Sequence, residues 1–377
     1  MRHLLLATVE NPHDPKSWSG TPFNILKTLE KNFDRVTVIS SPVPERTWLD
    51  SVLRLILGRE RYPLWMTSTA LKAYGKRLDE AVQHVRPDAI LSISSQHLIY
   101  AKVHGIPTFM ISDAPWITYK EAYRDFEKLP LLAKHYARLE ALATKKLTGV
   151  MYPTPWACEE AEIKFGMPTQ KIKQMPFGAN SHFPGSDAQI FSRIEHKKLG
   201  QLNFLFIGKD WERKGGPLAL AIVKDINARG YKTVLQIIGC TPAIPSDSLK
   251  QVQVLGYLSP DNTEDCGKMA NAFAQADFLL VPSQAECFGL VFAEAQSYGL
   301  PCISLTSYGI PGVVEHKNTG LLFEPFVSAK SIADEIFEVV ETPNRYVEMA
   351  TAARLKFTND LNWELFGRRM FAAIAPH

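Results

Sequence analysis

The chain has 377 residues, 46% hydrophobic and 21% charged, with a mean hydropathy of −0.10; this is ordinary for a globular protein but more than one core usually supports, so two domains are expected. No run of about 18 apolar residues is present, which excludes a membrane-spanning helix, and five scattered cysteines (Cys158, Cys240, Cys266, Cys287, Cys302) without a C-x-x-C argue against a disulfide framework or zinc site and for a reducing, cytoplasmic setting. The net charge of +3 is uneven: residues 1–183 hold 24 Lys and Arg against 18 Asp and Glu, the remainder 18 against 21, a modest bias that a solvated surface explains as well as different partners do.

The opening MRHLLLATVENPHD has one basic residue and a short apolar run, too short for a secretion signal and suited to a first strand. Residues 3–9, HLLLATV, read as a buried parallel strand. After the loop ENPHDPKSWSG, the segment TPFNILKTLEKN spaces Phe23, Ile25, Leu26 and Leu29 as a helix does, with Thr21 suited to the N-cap and Pro22 to the first helical position. RVTVIS (35–40) is the next strand. DAILSIS, PTFMISD, GVMYPT and KIKQMPFG continue the alternation, with helices between them.

Residues 46–77 mix Trp48, Leu49, Leu53, Ile56 and Trp65 with seven Lys and Arg. Such a segment suits peripheral contact with an anionic membrane, and equally a core-packed helix with solvated cations. The polar stretch 180–200, NSHFPGSDAQIFSRIEHKKLG, is the best candidate for a linker.

From residue 202 the opening order recurs: strand LNFLFIG, loop KDWERKGG, a helix from Pro217 to Gly230, and strand KTVLQIIG. DFLLVPS, LPCISL and GLLFEP extend this second sheet. Two doubly wound α/β domains in tandem are expected, spanning 1–183 and 184–358, with 359–377 as a final helix. Ligands of such sheets sit at the carboxyl ends of the strands, here in a central cleft.

The stretch SQAECFGLVFAEAQSYGLP (283–301) follows a strand and starts a helix at that carboxyl edge. Amides of Phe288, Gly289 and Leu290 would be donors at a positive helix end, suited to an anion. Glu294 could accept two hydrogen bonds from a vicinal diol such as a ribose, and Glu286 could hold sugar hydroxyls. A buried helix carrying two solvated glutamates satisfies the same spacing.

The run VPSQAECFGLVFAEAQSYGLPCI followed by GIPGVVEHKNTGLLFEP resembles the Glu-x7-Glu signature of retaining GT-B glycosyltransferases (glycosyl transferases group 1). It departs from the pattern at Cys287, where glycine is commoner and a small residue suffices. The resemblance implies an α/β GT-B fold: two Rossmann-like doubly wound domains, the last helix crossing back to the first. It implies retaining, metal-independent transfer of a hexosyl unit from a UDP- or GDP-linked sugar to a hydroxyl of a glycan or lipid-linked acceptor, as in bacterial polysaccharide or glycolipid synthesis. By that resemblance Glu294 binds the ribose, Glu286 the transferred sugar, and the amides around Phe288–Leu290 the diphosphate and sugar.

In the loop GKDWERKGG, Lys209 and Lys214 are the matched basic pair and Arg213 a third cation. They would neutralise the leaving diphosphate, although a solvated basic loop has the same composition. Asp210 and Glu212 sit among these cations and are read as loop charges, not metal ligands; no D-x-D occurs. Gly20 and Thr21 would contribute to the donor side, although one glycine stands where the family commonly has two. Asp113 falls near where relatives place a group close to the reacting carbon; a turn-forming Asp before Ala114-Pro115 is the alternative. His97 and His104 are read as structural. Amphipathic 362–375 would place Trp363, Phe366, Met370 and Phe371 inward.

The expected partners are a nucleotide sugar and a glycan or lipid-linked acceptor, not nucleic acid, and no cofactor or metal is expected. The expected location is the cytoplasm, with the inner face of the plasma membrane as an option. A nucleotide-sugar epimerase of the same fold and a non-catalytic glycan- or nucleotide-binding protein are the alternatives. A nicotinamide dehydrogenase is disfavoured, since no G-x-G-x-x-G follows the first strand.

Overall fold

The computed structural model describes residues 2–41, 47–48, 51–52, 55, 64–123, 130–180 and 185–375. It forms two compact units, Met1–Phe177 with Trp363–His377, and Gly178–Asn362.

The first unit carries a parallel sheet ordered β2-β1-β3-β4-β5-β6, from β1 (His3–Thr8), β2 (Arg35–Ser40), β3 (Ala89–Ile93), β4 (Thr108–Ile111), β5 (Gly149–Tyr152) and β6 (Ile172–Gln174). Leu4, Leu5, Leu6, Ile90 and Leu91 have no exposed surface, as strands covered on both faces require. The chain turns from one side of β1 to the other between β2 and β3, so a switch point lies at the carboxyl ends of β1 and β3.

Helix α1 (Thr21–Asn32) starts differently from expectation. Gly20 (φ 83°) is its N-cap, and Thr21 is already helical and buried. Trp18 and Ser19 are also left-handed (φ 43° and 54°), so the chain enters the helix through a tight coil ending at a residue without a Cβ.

The segment 46–77 is only partly described: Arg46, Leu49, Leu53 and Ile56 lie outside the described residues. Trp48 and Leu55 are exposed, whereas Trp65 packs edge-on against Trp116 and Tyr136. Helix α2 (Ser68–Val85) buries Leu71, Tyr74 and Leu78. Helices α3 (Trp116–Tyr123), α4 (Pro130–Thr144) and α5 (Pro155–Phe165) follow, α5 packing on β5 and β6.

The second sheet is ordered β12-β11-β10-β7-β8-β9, all parallel: β7 (Leu202–Ile207), β8 (Thr233–Ile238), β9 (Val252–Gly256), β10 (Phe278–Leu280), β11 (Cys302–Leu305) and β12 (Gly320–Phe323). Its switch point lies between β7 and β10. The stretch read as a linker contains helix α6 (Asp187–Glu195). Ser186 accepts from the Gln189 amide while the Gln189 side chain accepts from the Ser186 amide, a reciprocal capping box. Helices α7 (Gly216–Ala228), α8 (Thr263–Gln275), α9 (Leu290–Ser297), α10 (Ala329–Glu341) and α11 (Arg345–Asn359) follow.

Helix α12 (Trp363–Ile374) returns to the first unit and packs on α1. Phe366 and Met370 are fully buried, Trp363 stacks on Phe177 at 6.1 Å, and Phe371 meets Phe33 edge-on at 5.2 Å.

Candidate functional site

Two loops flank the switch point of the second sheet. The loop after β7 carries Lys209, Arg213 and Lys214; the loop after β10 carries Glu286 and leads into α9. The first is folded by its own backbone: the amides of Lys214, Gly215 and Gly216 bond to the carbonyls of Asp210, Glu212 and Trp211 at 3.0, 3.0 and 2.8 Å. Asp210 accepts from the Arg213 amide at 3.0 Å, so its carboxylate organises the turn. Trp211 anchors the loop against Phe206, centroids 4.9 Å apart.

The two loops are joined. The Gln284 amide donates to Arg213 O at 2.9 Å, and the Arg213 guanidinium donates to Ala285 O at 2.8 Å. Gly215 has φ +77°, and a Cβ there would sit 2.0 Å from Pro282 O, so only glycine allows the loops this approach. At Gly208 a Cβ would lie 2.7 Å from Lys214 Cγ; the missing side chain makes room for the lysine stem.

These constraints bring Lys214 and Glu286 together. Lys214 Nζ donates to Glu286 Oε1, the Ser283 hydroxyl donates to the same oxygen at 2.8 Å, and Arg213 Nη1 stands 3.6 Å away. The Gly309 amide bonds to Glu286 O at 2.9 Å and fixes the loop from the far side. The pair is mostly buried, with side-chain exposures of 14% for Lys214 and 8% for Glu286. Lys209 is exposed, with Nζ 5.7 Å from the ring of Tyr257, the residue after β9.

Helix α9 has Gly289 (φ 79°) as its N-cap, with no side-chain cap, so amides of its first turn from Leu290 onward lack the side-chain acceptor that would normally satisfy one. A Cβ at Gly289 would meet the Phe292 ring at 2.6 Å. Phe288 and Cys287, which precede this turn in sequence, are buried. Glu294 lies one turn into the helix. Its carboxyl makes no hydrogen bond among the described residues. Burial pushes its pKa up to about 7, against the opposing pull of Lys214.

In the first unit, the carboxyl ends of β1, β3 and β4 surround a cavity of about 330 Å³ lined by Thr8, Glu10, Trp18, Trp65, Asp113, Trp116, Tyr136 and Glu140, among others. Asp113 is half-buried just beyond β4. Gly20 and Thr21 are buried at the start of α1, near Trp18 in sequence. Glu140 accepts from the Trp116 amide at 2.7 Å, and burial raises its pKa to about 7. His97 is fully buried and held neutral, its pKa lowered by desolvation to about 4.

Sequence reasoning missed Ser283, Gly208, Glu140 and the aromatic wall. Glu140 left a trace: on α4 it falls in line with Ala133, Tyr136, Ala137 and Thr144, an acid on an otherwise apolar helix face. Among the described residues there is no group of three or more His, Cys, Asp or Glu placed to hold a metal ion, and no helix long and apolar enough to cross a membrane.

Residues 187–356 match the glycosyl transferases group 1 family. Sucrose-phosphate synthase from Thermosynechococcus elongatus superposes with a TM-score of 0.67 at 16% identity, over 99% of this chain and 100% of that one. A glycosyltransferase from Rickettsia africae gives 0.65 at 13%, over 99% and 98%. Anabaena HepE, in complex with UDP, gives 0.64 at 15%, over the whole of both chains. No curated protein matches in sequence. The two units thus have the architecture of the GT-B fold, and the match to glycosyl transferases group 1 falls on the second of them.

Proposed function

We propose that the protein is a retaining, metal-independent glycosyltransferase that moves a hexosyl unit from a UDP- or GDP-linked sugar to a hydroxyl of a glycan or lipid-linked acceptor. Bacterial polysaccharide or glycolipid synthesis is the setting that suits such a reaction. The carrying observation is the Lys214–Glu286 pair beside the uncapped start of α9 at a sheet switch point. HepE, of the same fold, has been crystallised with UDP and with UDP-glucose.

In this reading the first-turn amides of α9, near Phe288, Gly289 and Leu290, meet the diphosphate. Lys214 and Arg213 neutralise the charge that builds on it as the glycosidic bond breaks, and Lys209 adds a third cation from the loop's edge. Glu294, whose carboxyl has no hydrogen-bond partner among the described residues, accepts from the ribose hydroxyls. Glu286, already oriented by Ser283 and Lys214, holds the hydroxyls of the transferred sugar. The acceptor oxygen bonds to the anomeric carbon on the face the diphosphate leaves, and the acceptor proton passes to the departing phosphate oxygen, so configuration is retained. Gly20 and Thr21 serve the donor from the first unit, and Asp113 positions the acceptor.

The test is a thermal-shift screen of UDP, GDP, ADP and their sugars, followed by NMR of the anomeric configuration in the product. An inverted product, or a rate abolished by chelator and restored by manganese, overturns the mechanism.

A further inference from the structure

We infer that the cavity of the first unit selects a ligand carrying a protonated amine; on the transferase reading, on which this rests, the acceptor is an amine-bearing sugar or a compound of similar size and charge.

The walls of the cavity are aromatic. Trp65 meets Trp116 and Tyr136 edge-on at 5.4 and 5.5 Å, and Trp116 stacks on Tyr119 at 5.6 Å. Trp18 joins this wall through a left-handed backbone (φ 43°) followed by another at Ser19. Bulky residues adopt that conformation only when their surroundings impose it, and such strain clusters at ligand sites.

Carboxyl groups supply the polar side. Glu10 from the end of β1, Asp113 from the end of β4 and Glu140 from α4 all line the cavity, and no lysine or arginine does so among the described residues. Thr8, 1% exposed, also lines it, and its hydroxyl has no hydrogen-bond partner among the described residues. A buried hydroxyl left without a partner is costly unless something fills the space beside it.

Ring faces attract cations, more strongly once water is excluded, and a carboxylate accepts hydrogen bonds without donating any. Glu140, its pKa raised by burial to about 7, is largely protonated at the pH that keeps an amine charged, so the attraction on this side comes from Glu10 and Asp113. A hydroxyl-only sugar satisfies the acceptors but brings no positive charge to the acids and rings. An anionic group is repelled. A protonated amine meets both the rings and the acids, and this distinguishes the first unit from the second, whose switch point gathers Lys209, Arg213 and Lys214.

The experiment is a tryptophan-fluorescence titration of the full chain, without donor, against methyl glucosaminide, its N-acetyl derivative and methyl glucoside, at a pH where the amine is protonated. The amine is expected to bind about 10-fold or more tightly than either neutral sugar. Asp113→Asn with Glu10→Gln is expected to erase that preference, with an unchanged circular dichroism spectrum showing that the variant is folded. Equal or tighter binding of a neutral sugar, a preference that survives both substitutions, or no saturable binding of any of the three overturns the inference. Lys214→Ala, in the other unit, separates the two readings. Amine binding that persists in this variant and in the parent, with no transfer by the parent from any nucleoside-diphosphate sugar, sinks the transferase reading and leaves the amine site standing.

Discussion

Lys214 donates to the carboxylate oxygen of Glu286 that also accepts from the Ser283 hydroxyl. The arrangement is compact because Gly208 lacks a side chain and Gly215 adopts a backbone angle other residues resist. A lysine already held and mostly desolvated stabilises charge developing on a nearby leaving group with little reorganisation. Lys214→Ala and Glu294→Ala are each expected to lower kcat/KM by more than about 100-fold, as losing a charge-assisted contact used in the transition state does. Steady-state kinetics with the best donor from the thermal-shift screen reads this directly. Near-parent rates in both variants would show that the donor binds elsewhere.

Gly208→Ala tests the same geometry without touching a charged group. The new methyl would lie 2.7 Å from Lys214 Cγ and 3.2 Å from its Cβ, so the lysine stem must swing away from Glu286. Donor affinity is expected to fall by about 10-fold while stability changes by no more than about 1 kcal/mol, since the displaced atoms belong to a flexible side chain. Calorimetric titration with the nucleoside diphosphate measures the first and urea unfolding the second. In a Lys214→Ala background the substitution should add little, because contacting residues are not additive; full additivity would mean that Gly208 acts through something other than the lysine.

The raised pKa of Glu140 gives a prediction about stability. Burial shifts this carboxyl from its ordinary 4.5 to about 7, against the lowering effects of the Trp116 amide and Ser95. A carboxyl whose pKa is higher in the fold than in the unfolded chain contributes stability that is fully present below the unfolded value and lost as pH rises through the folded one. The parent therefore loses up to about 3 kcal/mol through this group between about pH 4.5 and about pH 7.5. Glu140→Gln has no proton to lose there, so its stability relative to the parent should improve across that window. Urea midpoints at about pH 5 and about pH 8 measure the change, and a variant-minus-parent difference independent of pH would show that the carboxyl is not buried as described.

Strands and loops at the switch points were legible in the sequence because they rest on local patterns. Apolar runs mark β1, β7 and β10, a Pro near the first turn marks α1 and α7, and the basic cluster from Lys209 to Lys214 is contiguous. The partners in the Lys214–Glu286 pair lie 72 residues apart, and their meeting depends on Gly208, Gly215 and the hydroxyl of Ser283, whose roles emerge only when two loops face each other. Likewise the cavity of the first unit draws Trp18, Trp65, Trp116 and Tyr136 from separate segments, each of which reads as an ordinary core aromatic by itself. Helix α6 was missed within a polar stretch although its capping box, Ser186 to Gln189, is a local signal; few apolar residues follow it, and Ile190 and Ile194 alone mark the buried face.

The packing of α12 on α1 yields a prediction opposite in sign to helix propensity. Gly367 is buried in the middle of α12, where alanine in a solvent-facing helix would stabilise by about 1 kcal/mol. Here a Cβ would lie 2.3 Å from Thr28 Cγ2 and 2.5 Å from Asn32 Nδ2. Thr28 donates to Asn24 O at 2.6 Å, and Asn32 donates to Thr28 O at 2.8 Å, so neither side chain withdraws without breaking a bond to α1. The helices must move apart, loosening the Phe33–Phe371 contact and the seat of Phe366. Gly367→Ala is expected to destabilise the protein by about 1–3 kcal/mol, the usual cost of overpacking, read as a lower urea midpoint with an unchanged slope. Arg368→Ala, at an exposed position of the same helix, is the control and should lie within about 0.5 kcal/mol of the parent. A stabilised Gly367→Ala would mean that α12 does not pack on α1 at this distance.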